Sequence, residues 1–244
     1  MTRRRTLATA RRVLQQLSHD RRSLALMIVV PSVLLILFKY VYSGNVLVFD
    51  RIAPQLLGIF PFIIMFLVTS VTMVRERTSG TLERLLTTPL QRGELILGYA
   101  LAFGVAALVQ SIVTSAIALG PLQLSVRSIW IIGLFAVLDA LLGTALGLLM
   151  SAFAKTEFQA VQFMPAVVLP QLLLCGLLNP RDQMASVLRW ISNVLPLSYA
   201  TDAFNRAAGQ VGLNGRMWLD LMVLTASLAA AVCLAALTLR RRTA

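Results

Sequence analysis

The feature that most limits the fold of this chain is a series of six long apolar segments. Each is close to the length of about 20 helical residues that crosses the hydrocarbon core of a bilayer. We therefore predict an all-α, polytopic membrane protein with a single membrane domain over residues 23–239. The predicted transmembrane helices lie at 23–43, 52–74, 95–119, 129–153, 158–178 and 217–239.

Composition agrees with a chain surrounded by lipid. Hydrophobic residues make up 58% of the 244 positions and charged residues 13%, which is more apolar than a soluble core requires. The net charge of +12 would suggest nucleic acid as a partner if the chain were soluble. However, fifteen of the 22 lysines and arginines lie before the first span or after the second, fourth and sixth. The positive-inside rule then places both termini in the cytoplasm, with a basic tail at 240–244, so we expect no nucleic-acid partner.

Two further observations limit the classes of protein. The apolar run at 23–38 is long for a secretory signal and lacks a small-residue cleavage site after it, which indicates a retained first span. Cys175 and Cys233 lie inside apolar runs, where a thiol usually packs as a small hydrophobic group. Because His19 is the one histidine and has no nearby Cys or His in the sequence, we expect no metal site.

Residues 1–22 precede the first span and include an amphipathic stretch at 6–19. Leu7, Ala10, Leu14 and Leu17 recur at helical spacing, with basic residues on other faces. A basic amphipathic helix before a span suits the cytoplasmic headgroup layer. The alternative is a solvated N-terminal tail.

Small residues and prolines mark particular spans. Gly143 and Gly147 form a G-x-x-x-G pair in the fourth span, and Gly98 begins a similar series of small residues in the third. Small residues four apart let two helix backbones approach closely. Pro165 and Pro170 interrupt the backbone hydrogen bonding of the fifth span, so we predict a broken helix that lines a pathway.

The segment 181–210, between the fifth and sixth spans, has two short amphipathic patterns. The first runs from Met184 to Leu195, Pro196 ends it, and the second begins near Tyr199. Neither is long enough to span a bilayer. The pattern predicts re-entrant or interfacial helices that cap a cavity, or else a small extracellular subdomain lying on the membrane.

The loop at 75–94, between the second and third spans, is predicted to contain a short charged helix. Gly80 supplies a turn, and Leu82, Leu85 and Leu86 then form one apolar face. The sequence at 88–91 is typical of a capping box with proline at the first helical position. A short helix between two spans suits binding by a cytoplasmic partner, although its pattern also fits any helix on a membrane surface.

Two motifs resemble those of ABC-2 type permeases. The run from Glu76 to Glu94 resembles the signature E-R-x-x-G-T-L-E-R-L-L-x-T-P-x-x-R-x-E-L, and the run from Leu195 to Ala203 resembles L-x-P-L-x-Y-x-x-D-A. The resemblance covers nearly the whole chain, and within the family it is nearest to the daunorubicin-resistance type of drug exporter permease.

The resemblance implies a six-span permease subunit that dimerises, as a homo- or heterodimer, and docks two ATPase subunits. It implies that the loop helix is a coupling helix, with contacts to the ATPase from Glu76, Gly80, Thr81, Leu82, Glu83, Leu85, Leu86 and Pro89. It also implies that the helices at 181–210 form an outer gate, with Pro180, Leu188, Ile191, Leu195, Pro196 and Tyr199 as its residues.

The sequence lacks the motif that would bind the phosphates of ATP. The sequence contains no Gly-Lys pair and hence no G-x-x-x-x-G-K-[ST] phosphate loop. Since the resemblance implies transport driven by ATP, we expect no enzyme activity and no cofactor in this chain, and we expect ATP and Mg²⁺ to bind to a partner ATPase.

Several side chains within the spans are candidates for contact with a transported substrate. Asp139 lies midway through the fourth span, where it is either a contact for a cation or proton or a polar link to a neighbouring helix. Aromatic, methionine and glutamine side chains suit bulky amphipathic substrates. The candidates are Phe60, Phe62, Met65, Phe66, Asp139, Gln162 and Gln171.

We therefore predict the permease subunit of an exporter of hydrophobic or amphipathic drug-like or antibiotic-like molecules, in a prokaryotic plasma membrane. Export of a lipid or glycan is the alternative within the same class. An ion-coupled secondary transporter is a more remote alternative, for which Asp139 is the one coupling-ion candidate.

Overall fold

The computed structural model describes residues 3–80, 92–124, 126–209 and 212–238, which are nearly all helical and include no strand. Six of the helices in these ranges are long and apolar enough to cross a membrane, namely Arg21–Val41, Val46–Thr78, Gly93–Leu119, Ile129–Ser151, Glu157–Leu174 and Gly215–Thr238. The predicted all-α, polytopic membrane class is confirmed. In chain order the α-helices are α1 Arg3–His19, α2 Arg21–Val41, α3 Val46–Thr78, α4 Arg92–Leu119, α5 Ile129–Ser151, α6 Glu157–Leu174, α7 Ser186–Val194, α8 Pro196–Gly209 and α9 Gly215–Thr238, with a 3₁₀ turn at Arg181–Gln183.

The second spanning helix is longer than its apolar pattern predicts. Helix α3 begins at Val46 rather than at 52, and it continues to Thr78 in the segment assigned to the loop at 75–94. Helical hydrogen bonding does not stop where apolar character stops, and Arg75 and Arg77 are favoured near the negative end of the helix dipole. The charged end of α3 therefore projects beyond the apolar part as a continuous helix.

The fifth spanning helix is not broken at its prolines. Helix α6 runs without interruption through Pro165 and Pro170, so the predicted break within it is wrong. Proline fixes φ at a helical value and removes one donor, which a helix can tolerate when the freed carbonyl finds another partner. The chain instead leaves the helix after Leu174, before the predicted end at 178, and Gly176 follows with a φ of +96°.

Close backbone contact joins α3 to α5, the most extensive helix pair in the structure. A Cβ atom built on Gly143 would overlap the carbonyl oxygen of Phe62, and one built on Gly147 would lie 2.5 Å from the carbonyl oxygen of Phe66. The predicted packing role of this glycine pair is confirmed. Gly98 of α4 has a similar role, because a Cβ there would lie 2.7 Å from the Thr9 side chain of α1.

The helix ends fall into two groups. The first, which we call the loop end, contains α1, the last turn of α3, the start of α4 and the chain between α5 and α6. The second, the α7–α8 end, contains the connections between α2 and α3 and between α4 and α5, together with the start of α9. At this end Lys39 donates to the carbonyl oxygen of Leu122 at 3.0 Å, and the backbone N–H of Arg127 donates to Ala208.

Candidate functional site

A buried charged cluster joins the last turn of α3 to α1 and α4. The Glu76 side chain is 2% exposed, and one of its oxygens accepts hydrogen bonds from Arg12 at 3.1 Å and from the Tyr99 hydroxyl at 2.9 Å. Arg12 also donates to the Tyr99 hydroxyl oxygen at 2.8 Å. Removing a carboxylate from water is costly unless it is paired and hydrogen-bonded, as it is here. The cluster therefore holds three separate helices in one arrangement.

The residue before Glu76 extends these contacts to α6 and to the junction of α1 and α2. Arg75 donates two hydrogen bonds of 3.0 Å to the two oxygens of Glu157, the first residue of α6. Its guanidinium also lies 3.6 Å from Asp20, which caps the N-terminus of α2. The hydrogen bond from the Ser23 hydroxyl is the main reason why the pKa of Asp20 is below its usual value.

The residue after Glu76 binds the end of α5. Arg77 donates to the carbonyl oxygen of Ser151 at 2.6 Å and reaches that of Ala154 at 3.5 Å. Carbonyls at a helix C-terminus have no partner within the helix, and a cation is favoured there. Arg75, Glu76 and Arg77 together form what we call the clamp, which contacts α1, α4, the end of α5, the start of α6 and the junction between α1 and α2.

The clamp lies directly before the predicted coupling helix. Of the predicted coupling residues, Glu76 belongs to the clamp. Gly80 has a φ of +70° and no atom close to the position of its missing side chain, so the backbone conformation rather than crowding favours glycine there. The other predicted coupling residues, Thr81, Leu82, Glu83, Leu85, Leu86 and Pro89, lie outside the described residues.

A second network of charges lies at the α7–α8 end. Arg181 binds Asp202 at 2.6 Å, and Arg206 pairs with both Asp202 and Asp220. Arg181 also donates to the side chain of Asn193. This outer network links the 3₁₀ turn, α7, α8 and α9. Among the charged residues of the network, only Arg206 and Asp202 could have been paired from the sequence, because they lie four residues apart on one helix.

A polar cavity of about 720 Å³ opens beside this network, between the start of α3 and α8. Gln55 lines it and its amide nitrogen donates to the side-chain oxygen of Asn205 at 2.5 Å, while its amide oxygen has no partner among the described residues. Further lining residues include Arg51, Pro180, Arg181, Asp182 and Asp202.

The predicted gate residues are divided between two environments. Tyr199 lies beside the network, since its hydroxyl donates to the carbonyl oxygen of Asn193 at 2.7 Å and its ring faces Arg181. Pro180 lines the cavity. Leu188 and Ile191 are exposed on α7, and Leu195 and Pro196 are half-buried between α7 and α8.

The predicted pathway residues do not line one common cavity. Phe62, Met65 and Phe66 are fully buried within the subunit. Phe60 is half-buried, with its ring 6.1 Å from that of Phe38. In α6, Gln162 is exposed, whereas Gln171 is buried and donates to the carbonyl oxygen of Val167. In this arrangement the aromatic candidates pack helices together.

Asp139 differs from the other pathway candidates because it is a buried carboxyl group without a partner. It is 0% exposed, and neither carboxyl oxygen has a hydrogen-bond partner among the described residues. A Cβ built on Gly58 of α3 would lie 2.8 Å from its Oδ2 and would overlap the ring of Phe204 of α8. Asp139 therefore lies between α3, α5 and α8 without forming the predicted polar link among the described residues.

The described residues contain no group of three or more His, Cys, Asp or Glu that could hold a metal ion. The clamp and the outer network are built from ion pairs and hydrogen bonds, and neither contains a nucleophile aligned with a base. These clusters can hold helix ends together or release them, which is a mechanical role.

Comparisons with known proteins place the chain among transport proteins. A family model described as ABC-2 type transporter matches residues 4–207. The chain is 28% identical over 196 residues to ABC transporter G family member 20 of Dictyostelium discoideum, which is 79% of this chain and 27% of that protein. It is 29% identical over 154 residues, 62% of this chain and 41% of the relative, to the probable multidrug ABC transporter permease YbhR of Escherichia coli (strain K12). It is 30% identical over 153 residues, 61% of this chain and 40% of the relative, to the probable multidrug ABC transporter permease YbhS of the same organism. The match spans about a quarter to two fifths of the length of these relatives.

Proposed function

Because the chain belongs to the ABC-2 type transporter family, we propose that it is the permease subunit of an ABC exporter whose ATPase is a separate polypeptide. In this proposal two permease subunits and two ATPase subunits form the complex, and the ATPases bind ATP and Mg²⁺. The permease supplies the route through the membrane and performs no catalysis of its own.

The observation that supports coupling most strongly is the clamp. Its three residues directly precede the predicted coupling segment and bind α1, α4, α5, α6 and the junction before α2. A displacement of that segment by an ATPase would therefore reach several helices at once rather than α3 alone. We propose that this is how nucleotide-driven movement enters the membrane domain.

The charge distribution supports an orientation with the loop end in the cytoplasm of a prokaryotic cell. In that orientation α1 lies at the inner surface of the plasma membrane, and both termini are cytoplasmic. The outer network and the polar cavity then face outward, where a substrate would leave. Opening would require α7 and α8 to move relative to α3 and α9.

Two relatives are named as probable multidrug permeases, which favours a hydrophobic or amphipathic substrate of drug or antibiotic type. An exported lipid or glycan is the alternative within the class. Asp139 supports the more remote alternative of ion coupling, because a buried carboxyl group within a membrane domain is often a proton or ion site.

The first experiment tests the separate ATPase. The full chain is co-expressed with a candidate ABC ATPase from the same genome, purified through a tag on the permease and reconstituted in proteoliposomes. We expect co-purification and ATP hydrolysis that increases with added lipophilic drugs. ATP hydrolysis by the permease alone, or transport driven by an ion gradient without any ATPase, would contradict the proposal.

Loop variants then test the route of coupling. Leu82→Ala and Leu86→Ala should reduce both ATPase binding and drug-stimulated hydrolysis. Leu47→Ala is the matched control, because Leu47 is 83% exposed at the opposite end of α3. Equal effects of the loop and control substitutions would show that the ATPase does not dock on this loop.

A further inference from the structure

An apolar groove of about 630 Å³ lies between α1 and α4 at the loop end. Its lining residues include Leu7, Ala10, Leu14, Leu101 and Val105, with Arg11 beside them. Leu7 is 61% exposed, Leu101 48% and Val105 49%. So much accessible apolar surface in one concave site indicates a ligand with an apolar body.

This groove cannot close by rotation of α1. On one side of α1, Arg12 is bound to Glu76 and Tyr99. On the same side, the missing side chain of Gly98 allows α4 to approach Thr9 closely. The face with Leu7 is therefore held away from the protein interior, while the half-buried Leu14 lies between the groove and the core.

Two arginines lie on the groove face. Arg4 and Arg11 are seven residues apart, about two helical turns, so they share the face that also carries Leu7. The expectation that the basic residues lie on other faces of this helix is wrong for Arg11, which lines the groove together with Leu7. Both are exposed, and neither forms an ion pair within the described ranges 3–80, 92–124, 126–209 and 212–238. Arg12, in contrast, is committed to the clamp.

The apolar lining continues along α4 toward the middle of the membrane. Exposed apolar side chains recur every three or four residues, which places them on one face of the helix. They form a continuous track from the groove, and its members are Leu97, Leu101, Val105, Leu108 and Ile112.

We propose that the groove is a binding site for an anionic phospholipid from the leaflet that contains α1. One acyl chain lies in the groove and along the α4 track, and Arg4 and Arg11 bind the phosphate. The charges select this occupant, since basic pockets at a membrane surface favour anionic headgroups. A second copy of the chain would bring the same two arginines to the site, and like charges would oppose its binding.

The test uses the purified full chain in vesicles that contain equal amounts of phosphatidylglycerol and phosphatidylcholine with identical acyl chains. Native mass spectrometry counts the lipids that remain bound after detergent extraction. We expect one phosphatidylglycerol retained in preference to phosphatidylcholine, by roughly fivefold for each of the two arginines.

Two sets of variants separate headgroup binding from chain binding. Arg4→Gln and Arg11→Gln should each lower the preference roughly fivefold, whereas Arg189→Gln, an equal loss of charge on the exposed surface of α7, should leave it unchanged. Val105→Trp should fill the groove and lower retention of both lipids. Met222→Trp, at an apolar position of α9 that is 67% exposed and belongs to neither the groove lining nor the α4 track, is its control.

Thermal unfolding of each variant shows whether it is folded, and Arg11→Gln, being a surface change, supplies a test even if Val105→Trp fails to fold. Equal retention of the two lipids by the unchanged protein would overturn the proposal, as would a preference that survives loss of both arginines. Disulfide cross-linking of two copies through Leu7→Cys and Leu101→Cys would assign the groove to a dimer contact instead.

Discussion

Arg12 donates a hydrogen bond of 3.1 Å to Glu76, and this contact joins α1 to the end of α3 across 64 positions of sequence. Because Glu76 is buried, its carboxylate depends on Arg12 and Tyr99 for compensation. The pair thereby links the amphipathic N-terminal helix to the helix that leads into the predicted coupling segment.

The first prediction concerns this pair. We expect Arg12→Ala to lower the free energy of unfolding by about 1–3 kcal/mol, since it leaves a buried carboxylate without its cation. Adding Glu76→Gln should recover part of the loss, because the uncompensated charge is then gone. The measurement is a double-mutant cycle by thermal unfolding in detergent. Additive effects of the two substitutions would mean that the pair has no net coupling.

The second prediction concerns the contact of α3 with α5. Gly143→Ala and Gly147→Ala should each lower the free energy of unfolding by about 1–3 kcal/mol, because the added Cβ overlaps or crowds the α3 backbone. Gly133→Ala is a control on the same helix, since no atom lies within 4 Å of its added Cβ. That control should increase stability by about 0.5–1 kcal/mol through helix propensity. Equal effects at the three positions would contradict the close contact.

The third prediction concerns the outer network. Asp202→Asn should lower the free energy of unfolding by about 1–3 kcal/mol, since Arg181 and Arg206 lose a shared partner. Asp182→Asn, an exposed change beside the same cavity, should change it by no more than about 0.5 kcal/mol. If the network also holds the gate closed, Asp202→Asn should raise leakage of a small fluorescent solute from proteoliposomes. Unchanged stability and unchanged leakage would contradict both the stabilising role and the gate-closing role of the outer network.

The fourth prediction concerns pH. The folded-state pKa of Asp20 is below the ordinary aspartate value of 3.8, so its ionised form contributes stability that is fully present above that value. This contribution should disappear as the pH falls below about 4 and through the folded-state pKa. Stability measured between pH 2.5 and 7 should therefore fall less steeply in Asp20→Asn than in the unchanged chain. Parallel curves would contradict the capping role of the carboxylate.

The fifth prediction concerns Asp139. We expect Asp139→Asn to have little effect on the unfolding temperature, because no described group bonds to the carboxyl oxygens. If Asp139 contacts substrate, transport of cationic drugs should fall while that of neutral drugs is maintained. A lower unfolding temperature, with transport of cationic and of neutral drugs reduced equally, would instead support a link between helices.

Local sequence patterns predicted some helices and contacts correctly and others wrongly. The apolar lengths identified all six spanning helices, and the spacing of Gly143 and Gly147 identified a close helix contact. The same local reasoning was wrong for α6, which continues through Pro165 and Pro170. A proline removes one backbone hydrogen bond but does not by itself end a helix whose other backbone hydrogen bonds remain. The chain leaves α6 beside Gly176, a position whose positive φ depends on the path that follows.

The sequence alone predicted six membrane-spanning helices and a resemblance to ABC-2 permeases, because apolar length, charge placement and short motifs are properties of neighbouring residues. Only the tertiary structure decided which charges meet. Arg12 and Glu76 are far apart in the chain, as are Arg75 and Glu157, and nothing in their spacing marks them as partners. Their pairing depends on how close packing of α3 against α5, and of α1 against α4, sets the relative positions of the helix ends.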